Sequence, residues 1–190
     1  MRFPSLVAVA LLAGTTVANA APADYVLDPS HTSVVFVINH LGFSNVYGRF
    51  DDVVGKLTFD PQALKSSSVT ATIKTASFDT NHAKREEHLK SADFFNVAVF
   101  PEMTFTSTHI EKTGERTGKV TGTLTLLGVS KPVVLDVTFN QAGVSPITKK
   151  DTVGFSARGS LKRSDFGMKT FLPAIADKVD IIIETEAVKP

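Results

Sequence analysis

Asn81–Pro101 (NHAKREEHLKSADFFNVAVFP) is the one stretch of this chain that reads as helix, and what it interrupts decides the fold. Its first half is charged, with Lys84, Arg85, Glu86, Glu87 and Lys90, and Glu86 stands one turn before Lys90. Its second half turns apolar at Phe94 and Phe95 and ends at Pro101, which cannot continue a helix. On either side the sequence alternates like β-strand.

Upstream, Thr32 to His40 sets Val34, Phe36, Ile38 and His40 on one face and Val35, Val37 and Asn39 on the other. Both faces are largely apolar, so this strand reads as covered on both sides. Gly55 to Asp60 alternates again and ends at the turn signal Asp60-Pro61. Ser68 to Ser77 separates Val69, Ala71 and Ile73 from Thr70, Thr72 and Lys74. Downstream, Met103 and Phe105 oppose Thr104 and Thr106, and Lys112–Glu115 reads as a hairpin turn. Val120, Leu124 and Leu126 face away from Thr121, Thr123 and Thr125. Gly128–Pro132 reads as the next turn, and Asn140–Asp151, with Gly143 and Pro146, as a loop. Val153, Phe155, Ala157 and Leu161 continue the pattern, which Val179, Ile181 and Ile183 close.

Short Thr-rich strands with regular turns predict one antiparallel all-β domain of about eight strands with a short helical insertion. Periodicity does not choose between a sandwich and a closed barrel. A lone helical insertion fits a plug at a barrel mouth, and closure also removes exposed edges.

The N-terminus has the form of a signal peptide: Arg2, an apolar run from Leu6 to Val17, and Ala18-Asn19-Ala20 as a small-x-small cleavage site. The run is shorter than the roughly twenty residues a bilayer span needs. Residues 1–20 are therefore set aside as a signal peptide cleaved after Ala20, residues 21–190 form the domain, and the expected location is the periplasm. The formal charge of +1 falls to zero without Arg2, so no net field favours nucleic acid or an anionic membrane. The absence of cysteine excludes disulfides, thiolate metal sites and cysteine nucleophiles.

Catalytic and metal readings fail on spacing. His82 and His88 are six apart and fall on different faces of a helix. No serine sits in a G-x-S-x-G elbow. Asp28, Ser30 and His31 are close in sequence, but neighbours on a strand point to opposite faces, and Asp28-Pro29-Ser30 reads as a polar turn. The pairs Glu86-Glu87 and Asp51-Asp52 read as solvated surface. No catalytic or metal residue is assigned.

What remains is apolar. The chain has 14 Phe, no Trp and only 2 Tyr. Phe43, Phe94, Phe95, Phe166 and Phe171 fall in loop-like or helical stretches, where apolar side chains suit a hydrophobic mouth.

Several segments together resemble the YceI-like family of exported bacterial proteins. They are Tyr25–Phe36 (YVLDPSHTSVVF) with His40, Gly48–Phe50 (GRF), Arg85–Phe95 (REEHLKSADFF) with Pro101, Gly122–Val133 (GTLTLLGVSKPV) and Arg163–Met168 (RSDFGM). The resemblance implies a lipocalin-like antiparallel β-barrel whose apolar interior holds a long amphiphile, an isoprenoid quinone or polyprenyl lipid, with no catalytic reaction. It places Phe36, His40, Phe94, Phe95 and Met168 near the ligand. Phe43, Arg49, Leu89, Phe105, Leu126, Phe155 and Phe166 complete the expected lining, with His40 or Arg49 meeting a polar head group. About ten buried methylenes give a gross ~8 kcal/mol, so such a tail needs no diagnostic polar motif. Transient membrane contact and a homodimer stay open as partners. The alternative is an interaction or stress-related structural protein whose core is filled by side chains.

Overall fold

The computed structural model describes residues 22–190, so the signal-peptide expectation lies outside the described residues. The chain runs up and down as eight antiparallel staves. The first consists of β1 (Ala23–Leu27) and β2 (Ser33–His40), separated by a 3₁₀ turn at Pro29–His31. The second is β3 (Ser44–Phe50) and β4 (Val53–Phe59), broken at Asp51-Asp52. The third is β5 (Ser68–Lys74) and β6 (Phe78–Asp79), separated by a 3₁₀ turn at Thr75–Ser77. The other five are unbroken: β7 (Glu102–Lys112), β8 (Thr117–Leu126), β9 (Val129–Val144), β10 (Asp151–Lys162) and β11 (Ile175–Val188).

Hydrogen bonding follows the order β1-β4-β5-β7-β8-β9-β10-β11 and returns to β1, closing an eight-stranded antiparallel barrel. The closing register sets Val26 opposite Val188 and Leu27 opposite Ala187. The barrel expected from the family resemblance is therefore the observed architecture, and the sandwich is excluded.

Above the breaks in the first three staves the ring is incomplete. There β2 pairs with β11 and β3, and β3 pairs with β6 through Arg49–Asp79 and Phe50–Phe78. Among the described residues β6 has no second strand partner. The chain leaves β6, forms helix α1 (Ala83–Lys90) and a series of turns, and rejoins the wall where Thr75 N–H donates to the Pro101 carbonyl at 2.9 Å. The insertion thus fills a side gap in the mouth half of the wall, where the sequence suggested a plug across the opening. The turns arise because Asn96 takes a left-handed φ of 44° and the Ser91 and Asn96 carbonyls each bond back on nearby amides.

Two turns differ from the sequence expectation. The β8–β9 connection is only Leu127-Gly128, both left-handed at φ 53° and 72°. Pro132 stands in β9 opposite Thr123, beyond the reach of β10, where strand proline is tolerated. The expected loop Asn140–Asp151 shrinks to residues 145–150, because β9 and β10 stay paired out to Val144–Asp151 as an arm that extends past the core.

Apolar side chains collect inside in two clusters. One centres on Phe50, Phe78, Phe95, Met103, Leu124, Leu126, Leu135 and Phe166. The other holds Leu27, Leu57, Phe59, Val153 and Ala187, packed against Phe139 and Phe155.

Candidate functional site

Between these clusters the interior is hollow, with a cavity of about 610 Å³. That falls within the roughly 300–1,000 Å³ of ligand pockets. Inward-facing strand residues line it, among them Val120, Leu124 and Leu126 on β8, Val133, Leu135, Val137 and Phe139 on β9, and Ile175, Val179, Ile181 and Ile183 on β11. Strands rise about 3.3 Å per residue and tilt by about 40° in such barrels, so this lining spans about 15–20 Å along the axis. The space is a narrow tube, not a bowl.

One end is narrowed by aromatic packing. Phe59, Phe139 and Phe155 have ring centroids 5.3–5.6 Å apart. The Arg116 guanidinium lies over the Phe139 ring at 5.5 Å and its Nε donates to the Phe139 carbonyl at 3.0 Å. The other end, where α1, the β2–β3 turn and the β10–β11 connection meet, carries His40, Arg85, His88, Leu89, Phe94 and Phe171.

Of the residues singled out from sequence, Phe36, His40, Leu89, Phe94, Phe95, Phe105, Leu126, Phe155 and Met168 line this tube. Three stand elsewhere. Phe43 is 88% exposed beside the β2–β3 turn, turned outward by the left-handed pair Leu41 and Gly42. Arg49 is on the outer wall, ion-paired with Asp51 at 2.9 Å and Asp79 at 3.9 Å. Phe166 is only 2% exposed and packs in the core beside the tube. Close approach of two rings to the wall rests on glycine. A Cβ on Gly48 would meet the Phe36 ring at 2.2 Å, and one on Gly122 would meet the Phe105 ring at the same distance.

Sequence reasoning passed over Arg85, His88, Arg163 and the Phe59–Phe139 pair. Arg85, His88 and Leu89 follow i, i+3, i+4 spacing and share one helix face, a signal hidden by weighing His88 only against His82. His82 itself caps α1, its Nδ1 accepting the Arg85 N–H at 3.2 Å. Glu86 is not free surface: it accepts from Thr80 N–H at 2.7 Å and His82 N–H at 3.2 Å, which holds its carboxyl below the usual range. Arg85 in turn donates from Nε to Thr80 Oγ1 at 3.0 Å.

Arg163 is 3% exposed and lines the tube from beneath the β10–β11 connection. It donates to the carbonyls of Ala176 (2.9 Å), Met168 (3.1 Å), Thr170 (2.9 Å) and Ile175 (3.1 Å), which ties that connection to the wall. Burial pulls its pKa down, opposed by Asp177.

Asp28, Ser30 and His31 do converge, contrary to the strand-based expectation, because Pro29–His31 is a 3₁₀ turn. Asp28 accepts from Ser30 Oγ at 2.6 Å and meets His31 Nδ1 at 2.8 Å. The hydrogen bonds from Ser30 first, then His31, hold the Asp28 carboxyl down at about 2, while Asp28 raises the His31 pKa. This group lies outside the tube and locks the joint between β1 and β2.

The YceI-like domain family matches residues 25–187. Protein YceI of Escherichia coli O157:H7 is 45% identical over 173 residues, covering 90% of each chain. Among solved structures, a Campylobacter jejuni YceI protein superposes with a TM-score of 0.73 at 39% identity, covering 80% of this chain and 90% of that one. A polyisoprenoid binding domain from Saccharophagus degradans, implicated in plant cell wall breakdown, superposes at 0.67 over 87% of this chain and 98% of its own. At 17% identity that last likeness carries the fold alone.

Proposed function

The chain belongs to the YceI-like family, and from that premise and the form of its cavity we propose that it binds and carries an isoprenoid lipid, a quinone or polyprenyl compound, in the periplasm. The observation that carries the reading is the tube: about 15–20 Å long, walled by Val, Leu, Ile and Phe, narrowed by aromatic rings at one end and polar only near its ends. A long flexible apolar chain matches that shape, and its head would rest among His40, Arg85 and His88 at the mouth. The Saccharophagus domain of like fold is described as polyisoprenoid-binding, which agrees with this choice of ligand. Residues 1–20 supply the export signal. A carrier asks for no reaction, and none is assigned.

A core filled by side chains, the competing reading, is disfavoured by the cavity volume. Natively purified protein extracted with organic solvent and analysed by mass spectrometry is expected to yield a prenyl lipid near one per chain. Recovery of no lipid, together with no uptake of added geranylgeraniol, would refute the proposal.

A further inference from the structure

We infer that the rim formed by Leu41, Phe43 and Phe171 docks on the surface of a lipid bilayer, so that the tube exchanges its cargo there. The inference rests on the carrier reading for its cargo, but on separate observations for the rim. Leu41 is 50% exposed, Phe43 88% and Phe171 56%. They belong to one edge: Leu41 N–H donates to the Ala174 carbonyl at 3.1 Å, and Ile175, opposite His40 in the sheet, donates to the Phe171 carbonyl at 2.8 Å.

The exposure is built in. Leu41 and Phe171 hold left-handed φ values of 57° and 63°, a region that bulky residues ordinarily avoid. From this edge the surface runs inward along aromatic rings, because the Phe171 ring meets His88 edge-on at 5.8 Å and Phe94 at a tilt at 6.2 Å, both in the tube wall. Ile147, 88% exposed on the β9–β10 arm, stands at the opposite end, which Phe59, Phe139 and Phe155 narrow.

Charge around the rim is nearly balanced. In the α1 segment Lys84, Arg85 and Lys90 meet Glu86, Glu87 and Asp93, and in the β10–β11 connection Arg163 and Lys169 meet Asp165, a surplus of a single positive charge, with Asp177 of β11 bonded to Ser164 at its base. A charged protein partner finds no complementary field there, whereas apolar insertion into a bilayer needs none.

The test floats the purified protein with vesicles of phosphatidylcholine, alone or mixed with phosphatidylglycerol, beside an L41S/F43S variant. Neither substituted residue touches the tube, so geranylgeraniol binding in solution and the thermal midpoint are expected to stay at wild-type values. Wild type is expected to float with both vesicles to a similar extent and to resist added salt. The variant is expected to float about tenfold less or weaker still. Equal flotation of the variant, no flotation of the wild type, or flotation only with the anionic vesicles at low salt would overturn the inference. A wild-type dimer that L41S/F43S dissolves, without flotation, would overturn it in favour of self-association. Wild-type flotation with no geranylgeraniol bound would uphold the docking rim while removing the carrier reading.

Discussion

Ala157→Phe places a ring across the tube at mid-height and separates its mouth half from its aromatic half. Ala157 faces Val137 on β9 and Ile183 on β11, and along β10 it stands between Phe155 toward the aromatic end and Leu161 toward the mouth. At about 30 Å³ per water-sized group, about 610 Å³ accommodates about twenty chain carbons. A block at mid-height leaves about ten of them without cover, a gross loss of ~8 kcal/mol at ~0.8 kcal/mol each. Ordering costs return part of that, yet a quarter of it, ~2 kcal/mol, weakens binding about thirtyfold. Without relief from the empty tube, overpacking would cost about 1–3 kcal/mol and lower the thermal midpoint by about 2–12 °C. Bound lipid per chain, by extraction and mass spectrometry, and a titration with a fluorescent prenyl analogue provide the readout. A folded variant with unchanged lipid content and affinity would show that the tube is not where the lipid sits.

Gly122→Ala drives a methyl into the Phe105 ring and toward the Thr106 carbonyl, and should cost about 1–3 kcal/mol in urea unfolding; wild-type stability would refute the close contact. Arg163→Met leaves four carbonyls of the β10–β11 connection without their donor and should cost about 3–5 kcal/mol, with Arg163→Lys recovering less than half, because one ammonium cannot span the four. Phe166→Ala should cost about 3–5 kcal/mol, whereas Phe94→Ala, half-buried against open space, should cost clearly less and lower lipid retention instead; equal costs would mean a filled interior. The Asp28–His31 lock contributes stability that is lost on both sides of a window. Asp28, depressed from 3.8 to about 2, gives it up as pH falls between those values, and His31, raised above 6.5, gives it up as pH rises through its elevated midpoint. Asp28→Asn should return the His31 NMR titration midpoint toward 6.5, and a wild-type midpoint at or below 6.5 would contradict the lock.

The strand pattern was legible because each wall residue obeys a period of two, and Val120, Leu124 and Leu126 point inward as their spacing requires. Closure was not legible, since the pairing of Val26 with Val188 joins the two ends of the domain and leaves no local trace; the family resemblance supplied it. Phe43 and Phe94 look alike in sequence, both phenylalanines outside the strand pattern with a polar neighbour. One is turned outward by a left-handed turn and the other is held against His88, a difference set by backbone handedness that composition does not carry. Arg49 failed as a head-group partner for a related reason: the break at Asp51-Asp52 brings an aspartate to its guanidinium on the outer wall. Phe95 was expected at the mouth near the ligand, but it is 9% exposed between Phe50 and Phe78, so it reports on core packing and Phe94 is the better probe.

The side gap beside β6 has a kinetic consequence. Among the described residues, no backbone hydrogen bond ties residues 83–99 to a strand, so that panel of the wall is held by side chains such as Leu89, Phe94 and Phe95. Swinging it aside breaks apolar contact but no sheet ladder, whereas parting any two of β7 to β11 would break a whole row of ladder bonds. A tail can then leave sideways in a single activated step instead of reptating along the full length of the tube. Residence time of the cargo and hydrogen exchange at Ala83–Lys90 become two readings of one opening rate, and substitutions that slow one should slow the other.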